Sequence, residues 1–255
     1  MLSPSAQVLS PSGTGALAGR TGALAGRTGA LRGGAAGFPW TADANNGNEL
    51  GASGQHHYVQ EVILRSLIAR TYWAFSRYRL RSEPLPIEGS AVLIGAPHTS
   101  NWDFVFMLAI CWRHGFAPLW LGKHTLFKAP FGPIMRALGG IPVNRAHPGR
   151  LVADVVSRMR VGKHFLVVTP EGTRARGKLW KSGFYRIARD AGLPVVLGYV
   201  DSATHTAGLG PTISLTGDVT ADMDLVRAFY ADKRGIRPDD FTPPMLREES
   251  RPAID

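Results

Sequence analysis

A second cysteine is missing from this chain. Cys111 is the one cysteine in 255 residues, so no disulfide forms within it, which suits a reducing compartment. Its setting, "FVFMLAICW", reads as that of a small buried hydrophobe rather than a reactive thiol. Long apolar runs are missing too. That same stretch is the longest and is closed by Arg113, whereas a membrane span needs ~18–20 residues. A chain of this kind meets a bilayer from its surface. No G-x-S-x-G elbow and no phosphate-binding P-loop occur, which excludes two common nucleophile and nucleotide sites. Apart from His98, the histidines (His56, His57, His114, His124, His147, His164 and His205) lack ligand spacing, so no metal is expected. Acidic residues are scarce at the start, the first being Asp43.

What is present is positive charge. The chain carries 29 Lys and Arg against 19 Asp and Glu, a net +10, with arginine dominant. Such a balance implies an anionic partner: phosphate esters, a lipid surface or nucleic acid. A basic, non-catalytic nucleic-acid module would account for the charge. It would also need zinc spacing, an aromatic RNA-binding block or a basic recognition helix, and none is present; no nucleic-acid partner is expected. The excess is local. Between Arg145 and Asp190 stand 11 basic and 3 acidic residues.

Residues 14–33 repeat "TGALAGR", with two glycines and one leucine in each unit. That leaves no second apolar position for a coiled-coil seam, and the glycines disfavour helix. "GTGALA" within it matches G-x-G-x-x-A but has no strand before it and no helix after it, so it is not a dinucleotide site. Residues 1–58 are expected to be a disordered, low-complexity segment. Residues 1–42, acid-poor with Arg20, Arg27 and Arg32, read either as an organelle-targeting stretch or as a plain extension. The lack of an amphipathic helix favours the extension.

From Val59 the pattern changes. "VQEVILRSLIARTYWAFSRYRLR" predicts a helix over 59–81, either packed on the core or lying on anionic lipid. After it, apolar runs alternate with longer amphipathic ones. "AVLIGA", "APLWLG", "IPVNR", "HFLVVTPEG", "LPVVLGYVD" and "TISLTG" read as strands. "NWDFVFMLAICWRHG", "LFKAPFGPIMRALGG" (interrupted by prolines), "RLVADVVSRMRVG", "WKSGFYRIARDAG" and "ADMDLVRAFYADKRG" read as helices. The alternation predicts an α/β fold: one domain over 59–235, with a mostly parallel or mixed central sheet flanked by helices. Residues 236–255, polar and proline-rich, are expected to be a loose tail.

In such sheets ligands bind beyond the carboxyl ends of strands. Two strands end in polar clusters, "HTSNWD" and "TPEGTRARGK". His98 and Asp103 lie five apart and would not meet on a regular helix, but they meet if His98 sits in the turn before it. Ser100-x-x-Asp103 has the form of a capping box, so Asp103 is either a helix cap or the partner of a catalytic imidazole. As a base, a neutral imidazole contributes typically ~10²–10⁴ in rate, with a carboxylate fixing its tautomer. No protein nucleophile is in sight, so a substrate hydroxyl would attack. "GGIPVNR" and "TPEGTR" each end in an arginine, Arg145 and Arg174, suited to phosphate. Gly172 permits a tight turn whose N–H groups could face an anion, and Glu171 could hold an arginine or accept from a substrate hydroxyl.

In order, "HTSNWD", "GGIPVNR", "TPEGTR" and "LPVVLGYVD" resemble the four blocks of the glycerophospholipid acyltransferases, the family of 1-acylglycerol-3-phosphate acyltransferase, over roughly residues 90–201. The resemblance implies transfer of a fatty acyl chain from an acyl-CoA or acyl carrier protein thioester, with no other cofactor, to a lysophospholipid hydroxyl, most simply that of 1-acylglycerol-3-phosphate. It makes His98 the base and Asp103 its partner, in an H-x4-D motif. Arg145, Glu171, Gly172, Thr173 and Arg174 fall in the blocks tied to glycerol phosphate. Thr99, Thr169 and Asn144 depart from the residues common in the family, which leaves the acceptor open; a lyso-aminolipid is the alternative. A peripheral place on the cytoplasmic face of a membrane is expected, docked by residues 59–81. "TLFKAPFGPIMRAL" would line the acyl groove, dip into lipid or pack in the core.

Overall fold

The computed structural model describes residues 52–85, 88–143 and 148–250. The expectations for residues 1–51, for Arg145 and for 251–255 lie outside the described residues. The chain builds one seven-stranded sheet in the order β1-β7-β6-β2-β5-β3-β4. At its centre is β2 (Ala91–Ala96), with β5 (Phe165–Val168) on one side and β6 (Val195–Asp201) on the other, all parallel. Beyond β5 lie β3 (Pro118–Lys123) and β4 (Gly140–Val143), also parallel. Beyond β6, β7 (Thr206–Ile213) runs antiparallel, and a two-residue β1 (Arg79–Leu80) pairs with it at the edge. The sheet is therefore mixed, with a parallel core.

Alternation along β2 shows how the layers form. Val92 and Ile94 join Leu166, Val195 and Leu197 beneath α4 (Pro148–Met159), α5 (Gly183–Ala191) and α6 (Val219–Tyr230). Ala91 and Leu93 face the other way, toward Phe106 and Ile110 of α2 (Trp102–Arg113). The central strands β2, β5 and β6 are buried on both faces, which is why they read as continuous apolar runs.

Several expected boundaries move. The first helix, α1, runs Ala52–Phe75 rather than 59–81. Past Ser76 the backbone leaves the helix for the sheet edge, where Arg79, Arg81 and Glu83 donate their N–H groups to His205, Ala207 and Leu209. Helix α1 packs on α2 through Tyr72 and Trp73, the indole N–H of Trp73 donating to the Ala109 carbonyl at 3.2 Å. Its other face leaves Val59, Ile63, Leu64, Leu67 and Ile68 about half exposed and Phe75 88% exposed. The proline-interrupted helix at 126–140 becomes a single 3-10 turn, His124–Phe127, followed by the short α3 (Gly132–Ala137). The last strand begins at Thr206, before the expected "TISLTG". The tail expected to be loose from residue 236 is packed: Thr242 and Leu246 are fully buried. Among the described residues no helix is long and apolar enough to cross a membrane.

Candidate active site

The carboxyl end of β2 leads through Pro97 into the turn that carries His98. Helix α2 begins only at Trp102, so His98 precedes it and Asp103 lies in its first turn. Asp103 Oδ2 accepts the N–H groups of Thr99 (2.8 Å) and Ser100 (2.7 Å), half of the expected capping box. Ser100 Oγ accepts from Trp102 N instead of from Asp103 N. The same Oδ2 lies 3.3 Å from His98 Nδ1. One carboxylate thus caps the helix and faces the imidazole, so the geometry is compatible with both readings of Asp103. Neither Nδ1 nor Asp103 Oδ1 has an aligned hydrogen-bond partner. Contacts of this kind tighten in the reacting complex. With Nδ1 turned to Asp103, Nε2 is the nitrogen left for a substrate proton.

Strand β5 ends beside β2 and delivers the loop of Glu171 to Arg174. Glu171, expected among the substrate contacts, is not one of the residues bordering the cavity. It is only 2% exposed; Oε1 accepts the N–H of His98 at 2.5 Å and Oε2 that of Thr242 at 3.3 Å. Burial pushes its carboxyl up to about 7, against the pull of those two N–H donors, and the charge of Asp103 adds to the rise. Glu171 therefore braces the backbone of His98. Gly172 follows with φ of 70°, the left-handed conformation glycine favours, and turns the loop so that Thr173 and Arg174 reach the cavity. The guanidinium of Arg174 donates to Asn101 Oδ1, joining this loop to the start of α2. Sequence reasoning missed Asn101, though it lies inside the H-x4-D block, and missed Thr242, which stands in the expected tail.

His98, Asp103, Thr173 and Arg174 border one cavity of about 790 Å³. That is within the ~300–1,000 Å³ usual for ligand sites. Its deeper wall is apolar: Phe104, Met107, Ile110, Trp120 and Leu209. Cys111 also lines it, its thiol pushed far up by burial. The residues offered for an acyl groove divide. Leu126 and Met135 line the cavity, Phe127 is core stacked on Trp120, and Phe131 and Ile134 are exposed. Among the described residues no cluster of three His, Cys, Asp or Glu could hold a metal. The site brings an imidazole with a carboxylate beside it, a guanidinium and an apolar wall to one cavity.

The chain is similar to several known proteins. Residues 77–197 match the Acyltransferase family model. The 1-acyl-sn-glycerol-3-phosphate acyltransferases of Salmonella typhimurium and Salmonella typhi are each 29% identical over 128 residues, covering 48% of this chain and 51% of theirs. The chain thus spans about half the length of the curated relatives it matches. A solved structure, the 1-acyl-sn-glycerophosphate (LPA) acyltransferase PlsC of Thermotoga maritima, aligns with a TM-score of 0.47 at 18% identity, covering 66% of this chain and 74% of that one. With the histidine turn and the "PEGTR" loop both inside the matched span, the family this chain resembles is the acyltransferases.

Proposed function

We propose that this protein moves a fatty acyl group from a thioester, acyl-CoA or acyl carrier protein, to the free hydroxyl of a lysophospholipid, 1-acylglycerol-3-phosphate first among them. The observation that carries this reading is the His98–Asp103 pair at 3.3 Å, opening on the cavity that Arg174 also borders. The acceptor's phosphate sits on Arg174, with Arg145 as its expected companion. The hydroxyl then lies against His98 Nε2, which takes its proton as the oxygen attacks the thioester carbonyl carbon. Asp103 stabilises the imidazolium. Collapse of the tetrahedral intermediate breaks the carbon–sulfur bond, and the departing thiolate takes the proton back from Nε2. No acyl-enzyme is needed. The acyl chain lies along the Phe104–Met107–Trp120 wall.

The half-exposed stripe of α1 and the exposed Phe131 and Ile134 support docking on a membrane surface, and the net charge of +10 favours an anionic one, which we take to be a cytoplasmic face. Each nearby basic residue adds ~1 kcal/mol to such docking. Purified protein is offered a panel of lyso-acceptors with each thioester, and free thiol is followed. The expected result is thiol release that depends on a phosphate-bearing lyso-acceptor and is lost in His98→Ala with the fold intact. Release with a lyso-aminolipid alone would reassign the acceptor, and no acceptor-dependent thiol would end the reading.

A further inference from the structure

Beyond β7 and α6 the chain returns to the site by a route outside the matched family span. It leaves the end of β6 anchored: Ser202 N donates to the Arg234 carbonyl at 2.7 Å, and Ser202 Oγ to that of Gly235 at 2.8 Å. Gly235 then passes against the histidine turn so closely that a Cβ there would lie 2.7 Å from Thr99 Oγ1 and 2.9 Å from Pro97 Cβ. Next, Arg237 N donates to Thr99 Oγ1 at 3.0 Å. Thr242 N donates to Glu171 Oε2, the carboxylate whose other oxygen holds His98 N. Thr242 Oγ1 accepts from Gly177 N, and its carbonyl from the Trp180 indole, both at 2.7 Å. The Met245 carbonyl accepts from Trp180 N at 2.8 Å, and Leu246 is fully buried.

Terminal segments that merely pack bury apolar side chains wherever the core is open. This one buries Leu246 and in addition gives the N–H groups of Arg237 and Thr242 to the two turns that carry the H-x4-D and "PEGTR" blocks. We propose that residues 235–246 form a strap that fixes His98 from outside those blocks, with Thr242 as a positioning residue acting through Glu171. The strap's role in catalysis rests on the acyl-transfer reading; its hold on the turn does not. A buried carboxylate oxygen stripped of its donor is costly, and the backbone it braces moves to relieve it. The groups facing Glu171 are His98 in the turn, Asp103 on α2 and Tyr230 on α6, with Lys181 beside Gly172.

Two full-length variants test the strap. Thr242→Pro deletes the N–H donor to Glu171 together with the hydroxyl that accepts from Gly177 N, and Thr242→Val, which loses the hydroxyl alone, is its control; Phe241 before it is extended, as a residue preceding proline must be. Gly235→Ala wedges the strap off the turn and serves if the proline variant fails to fold. In both, kcat is expected to fall about tenfold or more, with both KM values within about twofold, because small misplacements of a base are costly. For Thr242→Pro the acid limb of the kcat–pH profile moves up, since Glu171 loses a donor that helps it ionise. Amide hydrogen exchange quickens over residues 98–103 and stays unchanged over α6. A merely structural role would lower thermal stability without moving the limb. Wild-type kcat and limb in both variants, or unchanged exchange at 98–103, would overturn the strap. A wild type that consumes no thioester would instead fail the acyl-transfer reading, with exchange still deciding the strap.

Discussion

Asp103 does two jobs with one oxygen. Oδ2 closes the first turn of α2 through the N–H groups of Thr99 and Ser100 and faces His98 Nδ1. Asparagine separates these jobs, because its amide oxygen still caps while its charge is gone. Asp103→Asn is expected to keep thermal stability near that of the wild type and to lower kcat by about 10²–10⁴. Stopped assays beside a melting curve check both halves; full activity would leave Asp103 as a cap alone. The pair was legible in the sequence because an apolar strand, a histidine and a helix start follow one another within a dozen residues, where local geometry decides who meets. Glu171 was not. Its partner Thr242 is 71 residues away, and nothing near "PEG" says that its carboxylate points inward rather than at substrate.

Elements whose hydrophobic pattern matches their burial were legible as well: β2, β3, β5 and β6, with α2, α4, α5 and α6. Those that failed did so for physical reasons. Strand β7 opens with "TAGLGP", whose glycines and proline look like a loop; Gly208 is there because a Cβ would lie 1.9 Å from the Arg81 carbonyl oxygen. Strand β1 is two residues long and sits at the end of a helical pattern. The ambiguity of α1 was real, since the helix is both packed and exposed. Its outer stripe yields a clean experiment. A Leu67→Glu, Ile68→Glu variant changes residues 54% and 48% exposed, so folding stability should shift by about 0.5 kcal/mol or less per site. Binding to anionic vesicles, followed by co-sedimentation, should fall several-fold. Unchanged sedimentation would remove α1 from the membrane contact.

At the scale of the whole molecule, pH sets stability against activity. Burial disfavours the charges of Asp201 and Asp222, but hydrogen bonds outweigh it and hold both carboxyls below their ordinary range. For Asp201 these come from Thr204, Arg234 N and Ala203 N; for Asp222, from Thr216, Tyr185 and Gly217 N. Their contribution is present above the unfolded pKa and is lost as pH falls through the folded one. Glu171 works in the opposite sense. Its folded pKa of about 7 lies above the ordinary 4.5, so the folded protein holds that proton more tightly. Its contribution is complete below 4.5 and is lost as pH rises through 7, a loss on the order of 3 kcal/mol at one pKa unit per 1.36 kcal/mol. These three carboxyls together favour stability on the acid side of neutrality, while the ionised Glu171 that best accepts from His98 and Thr242 prevails above 7. Denaturant titrations from pH 4.5 to 8 should show stability falling between about 4.5 and 7 and levelling off above it, and Glu171→Gln should flatten the fall. An equal slope in the glutamine variant would assign the pH dependence elsewhere. A flattened slope with kcat depressed at every pH would mean that the chain keeps a destabilising buried acid because that acid holds its base in place.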